Sequence, residues 1–298
     1  MYLEHFGLNY PPFRITPDTR SFFAGAERGA VLEALQYAIV NGEGIIKVVG
    51  EVGTGKTMLC RMLETTLPEP VHTIYIHNPS VSPENILNTI ALEAELIDVP
   101  QDKLTVMRRL HAWLLDQYRL NKPVVLLIEE AQSMPLETLE EIRLLNNLET
   151  DEHKLLQIVL FGQPELDDKL NNPSIRQFRE RITHHFYLHP LDVSSVQAYL
   201  NFRLRSAGYR GPDLFQAKLA RKLGRGSRGL IRRINIMADK MLLAAYADGT
   251  TQLTPKHLQL AARDSEQGRV QILQWRWLLL GLSAGVALTL ITVSLLLK

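Results

Sequence analysis

The sequence predicts an α/β fold built on a doubly wound parallel sheet, and three observations predict it. Five apolar stretches, 45–49, 71–76, 124–128, 155–161 and 185–188, alternate with helical patterns, the order in which parallel strands and crossover helices follow one another. The first stretch breaks into Gly50-Glu51-Val52-Gly53-Thr54-Gly55-Lys56-Thr57, a match to the G-x-x-x-x-G-K-[ST] phosphate-binding loop. The third ends in adjacent acids, Glu129 and Glu130, at the strand end where open α/β sheets take ligands.

The chain has 298 residues, 46% hydrophobic and 22% charged, enough for two domains. Its net charge of +1 gives no global steering towards nucleic acid or membrane, so any such partner must be met by a local patch. A single cysteine, Cys60, excludes intrachain disulfides, fits a reducing compartment and reads as a small buried residue.

Taken in order, residues 1–7 show neither a basic n-region nor an apolar h-region, so the bulk of the chain is expected in the cytoplasm. Residues 6–23 hold too many prolines for a helix and too many aromatics for a disordered tail. They read as an extended strap that leads into a helix at 27–40. Two roles are open: part of an adenine pocket, or a cover without ligand contact.

In the loop, backbone N–H groups from Gly50 to Gly55 are expected to curl around phosphates while Lys56 reaches the β/γ oxygens and the Thr57 hydroxyl meets Mg²⁺. The helix entered at Met58 points its positive end at the same phosphates. Further on, Ser82 and Pro83 start a helix, and Val106, Leu110, Trp113 and Leu114 form an apolar stripe assigned to the core.

After the third strand, Glu129 is assigned to the Mg²⁺ shell and Glu130 to the attacking water, since phosphoryl transfer rests on positioning and charge stabilisation. The usual first acid is Asp. Glu129 is a methylene longer, which leaves weaker Mg²⁺ binding and slow turnover open. Gln163, just past a fourth strand expected to neighbour the first two, is placed to bond the γ-phosphate or the lytic water.

Together Phe6-Gly7, Pro12-Phe13, Thr16-Pro17, the loop, Ile128-Glu-Glu-Ala-Gln132 and Phe161-Gly-Gln-Pro-Glu-Leu166 resemble AAA+ ATPases of the secretion-pathway A-protein group. The resemblance covers roughly residues 1–262. That group includes type II secretion ATPases and the ATPase of mannose-sensitive haemagglutinin (MSHA) pilus biogenesis. The resemblance implies a P-loop AAA+ αβα core with a parallel sheet, a small helical lid, bound ATP and Mg²⁺, and a homo-oligomer whose ATP sites are shared between subunits.

It also implies two arginine roles. Arg181 matches the family's arginine finger, against the alternative of a solvated basic helix end. Arg232 matches the lid's γ-phosphate sensor in a Gly-x-Pro-Arg-x-Ile-Asn pattern, where Ile231 replaces the proline and Arg228 is the competing register. The expected divisions are a strap at 1–26, a core at 27–191, a lid at 192–262, a linker at 263–276 and a transmembrane helix at 277–297.

Lid helices are expected at 194–206, 214–223, 229–247 and 255–262. Within residues 221–233 lie six basic side chains and no acid, leaving DNA phosphates, anionic lipid or plain solvation as readings.

Residues 277–297 carry no charge, and a helix of that length spans about 31 Å against a hydrocarbon core of about 30 Å. Trp275 and Trp277 flank Arg276 at its entry, while Arg263, Arg269 and Arg276 precede it and only Lys298 follows. The expected placement is therefore a single-pass protein of the bacterial inner membrane with its ATPase domain cytoplasmic. Gly281 and Gly285 form a G-x-x-x-G face suited to self-association.

No domain is expected beyond the span, which pulls the resemblance towards the pilus-biogenesis member. The reading is a membrane-anchored ATPase that assembles or remodels an envelope complex of a pilus or secretion system, with those assembly proteins as partners and nucleic acid not expected among them. The alternatives are a DNA-acting regulator of transposition type and a slowly hydrolysing ATP-dependent scaffold.

Overall fold

A computed structural model describes residues 2–42, 44–150 and 153–265. A short helix α1 (Tyr2–Phe6) opens the chain, and α2 (Arg28–Val40) leads into β1 (Ile45–Val49) and α3 (Lys56–Thr66). Then come β2 (His72–Ile76), α4 (Pro83–Glu93), α5 (Lys103–Arg119), β3 (Val124–Ile128) and α6 (Leu136–Leu145). The sheet is completed by β4 (Leu156–Gly162), α7 (Glu165–Leu170), α8 (Arg176–Arg179) and β5 (Ile182–Tyr187). Four helices follow: α9 (Ser195–Ser206), α10 (Ala217–Ser227), α11 (Ile231–Ala247) and α12 (Pro255–Asp264).

The five strands are parallel in the order β2-β3-β4-β1-β5. This corrects the expected placement of the strand before Gln163: β4 lies between β3 and β1, not beside β2. The chain leaves β1 for the far edge and works back, so β3 and β4 fill the gap between the first two strands. The fifth strand also runs over 182–187 rather than 185–188.

Strand alternation builds two cores. Val125 and Leu127 of β3, with Ile46 and Val48 of β1, pack against α2 and α3 through Leu35, Ile39, Leu59, Cys60 and Leu63. Val124, Leu126 and Ile128, with Ile45 and Val49, face the opposite layer of α4, α5 and α6. Both faces of these strands are covered, which is why they read as continuous apolar runs. Lys47 is the exception inside β1; it is buried and ion-paired with Asp167 of α7, with its ammonium 5.7 Å from the Tyr187 ring centroid. That partner offsets the desolvation an unpaired ammonium would suffer.

A third core joins α9 to α12 with the N-terminal segment: Phe6, Leu8 and Phe13 pack with Tyr199, Leu200, Phe215 and Met241. The expected strap therefore belongs to the helical lid's core, and it begins with a helix whose Tyr2 hydroxyl donates to Asp239 on α11 at 2.8 Å. Two lid helices differ from expectation. The helix expected at 214–223 forms at 217–227, because Leu214 and Phe215 are buried ahead of it. The helix expected from Gly229 starts at Ile231, because Arg228 (φ 55°) and Gly229 (φ 69°) adopt left-handed backbone and break the chain between α10 and α11.

Among the described residues no helix is long and apolar enough to cross a membrane. The span expected at 277–297, its G-x-x-x-G pair and most of the preceding linker lie outside the described residues.

Candidate nucleotide site

The loop between β1 and α3 depends on two glycines with backbone that side chains disfavour, Gly53 (φ 85°) and Gly55 (φ 103°). At Gly53 there is a second constraint, since a Cβ would stand 2.8 Å from Arg232 Cβ. The Arg232 N–H donates to the Gly53 carbonyl at 3.1 Å, so the start of α11 touches the loop directly.

Lys56 is buried and its ammonium donates to the Gly50 and Glu51 carbonyls at 2.6 and 3.1 Å. Burial lowers its pKa, and the nearby carboxylates of Glu130 and Glu129 pull the other way. A cation held in that balance is suited to an anionic ligand.

The loop opens on a cavity of about 420 Å³, within the usual range for small-molecule sites. Gly53, Gly55, Lys56, Thr57, Met58 and Val52 line it from the loop, Glu130 and Gln163 from the strand ends, and Arg232 and Asn235 from α11. The strap closes it through Ile15, Pro17, Phe22 and Phe23. The strap thus lines the cavity beside the loop, the position from which an adenine contact is proposed.

Glu130 sits in left-handed backbone (φ 50°, ψ 36°), a conformation a non-glycine residue holds only when its surroundings enforce it. The enforcing contacts are amides: Gln132 Nε2 donates to Glu130 Oε2 at 2.6 Å and Gln163 Nε2 to the same oxygen at 3.0 Å. Gln132 Oε1 in turn accepts from the Gln163 backbone N–H at 3.0 Å. The paired amides hold one carboxylate oxygen still, and the other has no hydrogen-bond donor among the described residues.

Glu129 is not among the cavity's lining residues; its side chain lies on the α3 side of the sheet, the face that strand alternation after Leu127 dictates. Its Oε2 accepts from the Tyr75 hydroxyl at 2.8 Å and lies 3.2 Å from His77 Nδ1. Its Oε1 is buried and has no hydrogen-bond partner among the described residues.

An orphaned carboxylate oxygen and the Thr57 hydroxyl are hard oxygen donors that fit Mg²⁺. That ion needs only one or two protein ligands beside phosphates. Among the described residues no group of three or more His, Cys, Asp or Glu gathers as a metal cage.

Arg28 is a functional candidate that sequence reasoning missed. It is 4% exposed, lines the cavity, and donates to the Thr54 and His189 carbonyls at 3.1 and 3.0 Å, with no carboxylate partner among the described residues. Burial pushes its pKa down to about 10. The available signal was a cation at the first position of a helix, against the helix dipole.

Arg181 is placed elsewhere. It precedes Ile182, which pairs with Ile45 at the amino end of parallel β1, while the loop follows Val49 at the carboxyl end. Five residues of strand at about 3.3 Å each separate the two ends by roughly 16 Å, so Arg181 does not belong to this chain's cavity. For the lid arginine, Arg232 lines the cavity and Arg228 does not.

Half of the basic segment's cations, Arg221, Lys222 and Arg225, lie on α10, while Arg228 caps that helix and Arg232 and Arg233 fall in α11. Lys218, Arg221, Lys222 and Arg225 stand exposed on the face opposite buried Leu219, Ala220 and Leu223.

Residues 40–170 match the family model described as an AAA domain. The chain is 41% identical over 266 residues to general secretion pathway protein A of Aeromonas hydrophila. That match covers 88% of this chain and 48% of the relative, so the chain spans about half the relative's length. Among solved structures, Cdc6p from Pyrobaculum aerophilum aligns with a TM-score of 0.66 at 16% identity, over 85% of this chain and 70% of that one. The Aeropyrum pernix ORC2 protein in its ADPNP-ADP complexes aligns with a TM-score of 0.63 at 17% identity, over 84% and 72%. At those identities the likeness is one of fold, a P-loop AAA fold with a parallel sheet.

Proposed function

From the premise that this chain carries an AAA domain and is similar over most of its length to general secretion pathway protein A, we propose that it is a membrane-anchored ATPase. It hydrolyses ATP as an oligomer to assemble or remodel a bacterial envelope complex, a type II secretion system or an MSHA-type pilus. The observation that carries this reading is the meeting of three separate chain regions in one cavity: the loop with Lys56, the Glu130–Gln163 pair, and Arg232 from the lid.

In this reading Lys56 and the loop amides hold the phosphates, and Thr57 with Glu129 holds Mg²⁺, which offsets phosphate charge when bound. Glu130 takes the proton of the attacking water and Gln163 orients that water. Arg232 contacts the γ-phosphate, so that nucleotide state reaches α11 and the lid core. Arg181, at the far end of the sheet, serves a neighbouring subunit's site, where a planar guanidinium suits developing phosphate charge.

Mixing subunits tests the shared site. Arg181→Ala and Glu130→Gln are each expected to be inactive alone. An equal mixture should regain activity at roughly a quarter of interfaces, where an intact Glu130 meets an intact Arg181. No recovery in demonstrably mixed oligomers would refute sharing.

Anchoring rests on the uncharged stretch 277–297. The full chain is expected to stay in the membrane pellet after carbonate extraction and a chain ending at residue 265 to be released. Release of both would remove the anchor from the reading.

A further inference from the structure

The two acids after β3 are held by different means, and the difference bears on why the first is a glutamate. Glu129 is 2% exposed. Register pairs Tyr75 with Leu127, and Glu129 lies two residues beyond Leu127 on the same sheet face. A tyrosine at position 75 therefore reaches diagonally to the carboxylate, its hydroxyl donating to Oε2 at 2.8 Å. The other oxygen, Oε1, is buried without a partner among the described residues.

His77 Nδ1 also lies 3.2 Å from Oε2, but its side chain is 70% exposed and competes with water. Tyr75 is half-buried against the Cys60 and Leu63 side of α3. It is the donor the fold keeps in place.

We infer that Tyr75 is a positioning residue for the metal-binding acid: by clamping Oε2 of Glu129 it restricts the longer side chain and reserves Oε1 for Mg²⁺. An aspartate would need no such clamp. Its carboxylate would sit about 1.5 Å nearer the backbone, too far back for the same hydroxyl, and it would have one fewer rotatable bond to restrain. Tyr75 and Glu129 thus form a matched pair, in which an outer donor orients a metal ligand. This inference rests on the nucleotide-site reading above.

The test is a Mg²⁺ titration of fluorescent N-methylanthraniloyl-ATP binding to the full chain, run alongside binding in EDTA. Four proteins are compared: wild type, Tyr75→Phe, Glu129→Asp and the double variant. Tyr75→Phe keeps the ring packing and removes only the hydroxyl.

The expected result is a rise of about tenfold in the Mg²⁺ midpoint for Tyr75→Phe, in the range for loss of an outer-shell partner, with binding in EDTA unchanged. In the Glu129→Asp background the same substitution should leave the midpoint unmoved.

An unchanged midpoint in Tyr75→Phe would overturn the inference while leaving the nucleotide site intact. An equal rise in both backgrounds, or weaker binding in EDTA, would assign Tyr75 to packing and also overturn it. Wild-type protein that binds no nucleotide with or without Mg²⁺ would overturn both this inference and the reading on which it rests.

Discussion

Lys56→Ala is expected to lower ATP affinity by at least about 100-fold, measured by calorimetry or by fluorescent nucleotide binding. The ammonium is the loop's only cation, and its charge-assisted bonds to two phosphates at about 1.5–3 kcal/mol each exceed what a hundredfold requires. The loss will not come from unfolding. Lys56 is a buried cation whose nearest partners are the neutral carbonyls of Gly50 and Glu51, so removing it also removes a desolvation penalty. The thermal midpoint without nucleotide should hold or rise, while the shift produced by ATP disappears. Affinity within threefold of wild type would show that the cavity is not a phosphate site.

Glu130→Gln is expected to separate binding from turnover. Nucleotide affinity should stay within about threefold, because the carboxylate lies beside the phosphate-binding elements and not among them. Turnover should fall by about 10²–10⁴, the usual contribution of a positioned general base. The substitution preserves shape, and the new carbonyl oxygen can still accept from Gln132 and Gln163, which hold the wild-type Oε2 at 2.6 and 3.0 Å. Left-handed backbone at residue 130 is therefore maintained by the same contacts. Turnover equal to wild type would take Glu130 out of the chemistry and leave its strained backbone without a catalytic explanation.

Those two residues stand at opposite ends of legibility. Lys56 is identified by a contiguous pattern, since a phosphate cradle is made by consecutive backbone amides and needs glycine where left-handed φ is required, as at Gly53 and Gly55. Glu130 is legible as a residue type at a strand end, but the clamp around it is not. Gln132 stands in the same short stretch and carries no mark that its amide reaches Glu130 and the backbone of Gln163.

The strap shows the same divide. Its prolines and aromatics foretell an ordered, extended segment, and they do not say that Phe6, Leu8 and Phe13 are inserted into the core of α9–α11. Nor do they say that Phe22 and Phe23 meet the loop's cavity. One segment thus touches both the lid core and the cavity beside the loop.

The sequence by itself determined the parallel α/β class, the phosphate loop, the paired acids and the uncharged stretch at 277–297. Each rests on local periodicity or on a run of neighbouring residues, and local physics suffices for it. Tertiary structure alone decided that β4 lies between β3 and β1, that Arg28 is buried against the loop, and that Tyr75 on β2 holds Glu129 just past β3. These contacts join residues tens of positions apart, and they follow from strand order and face, which no single stretch of sequence encodes.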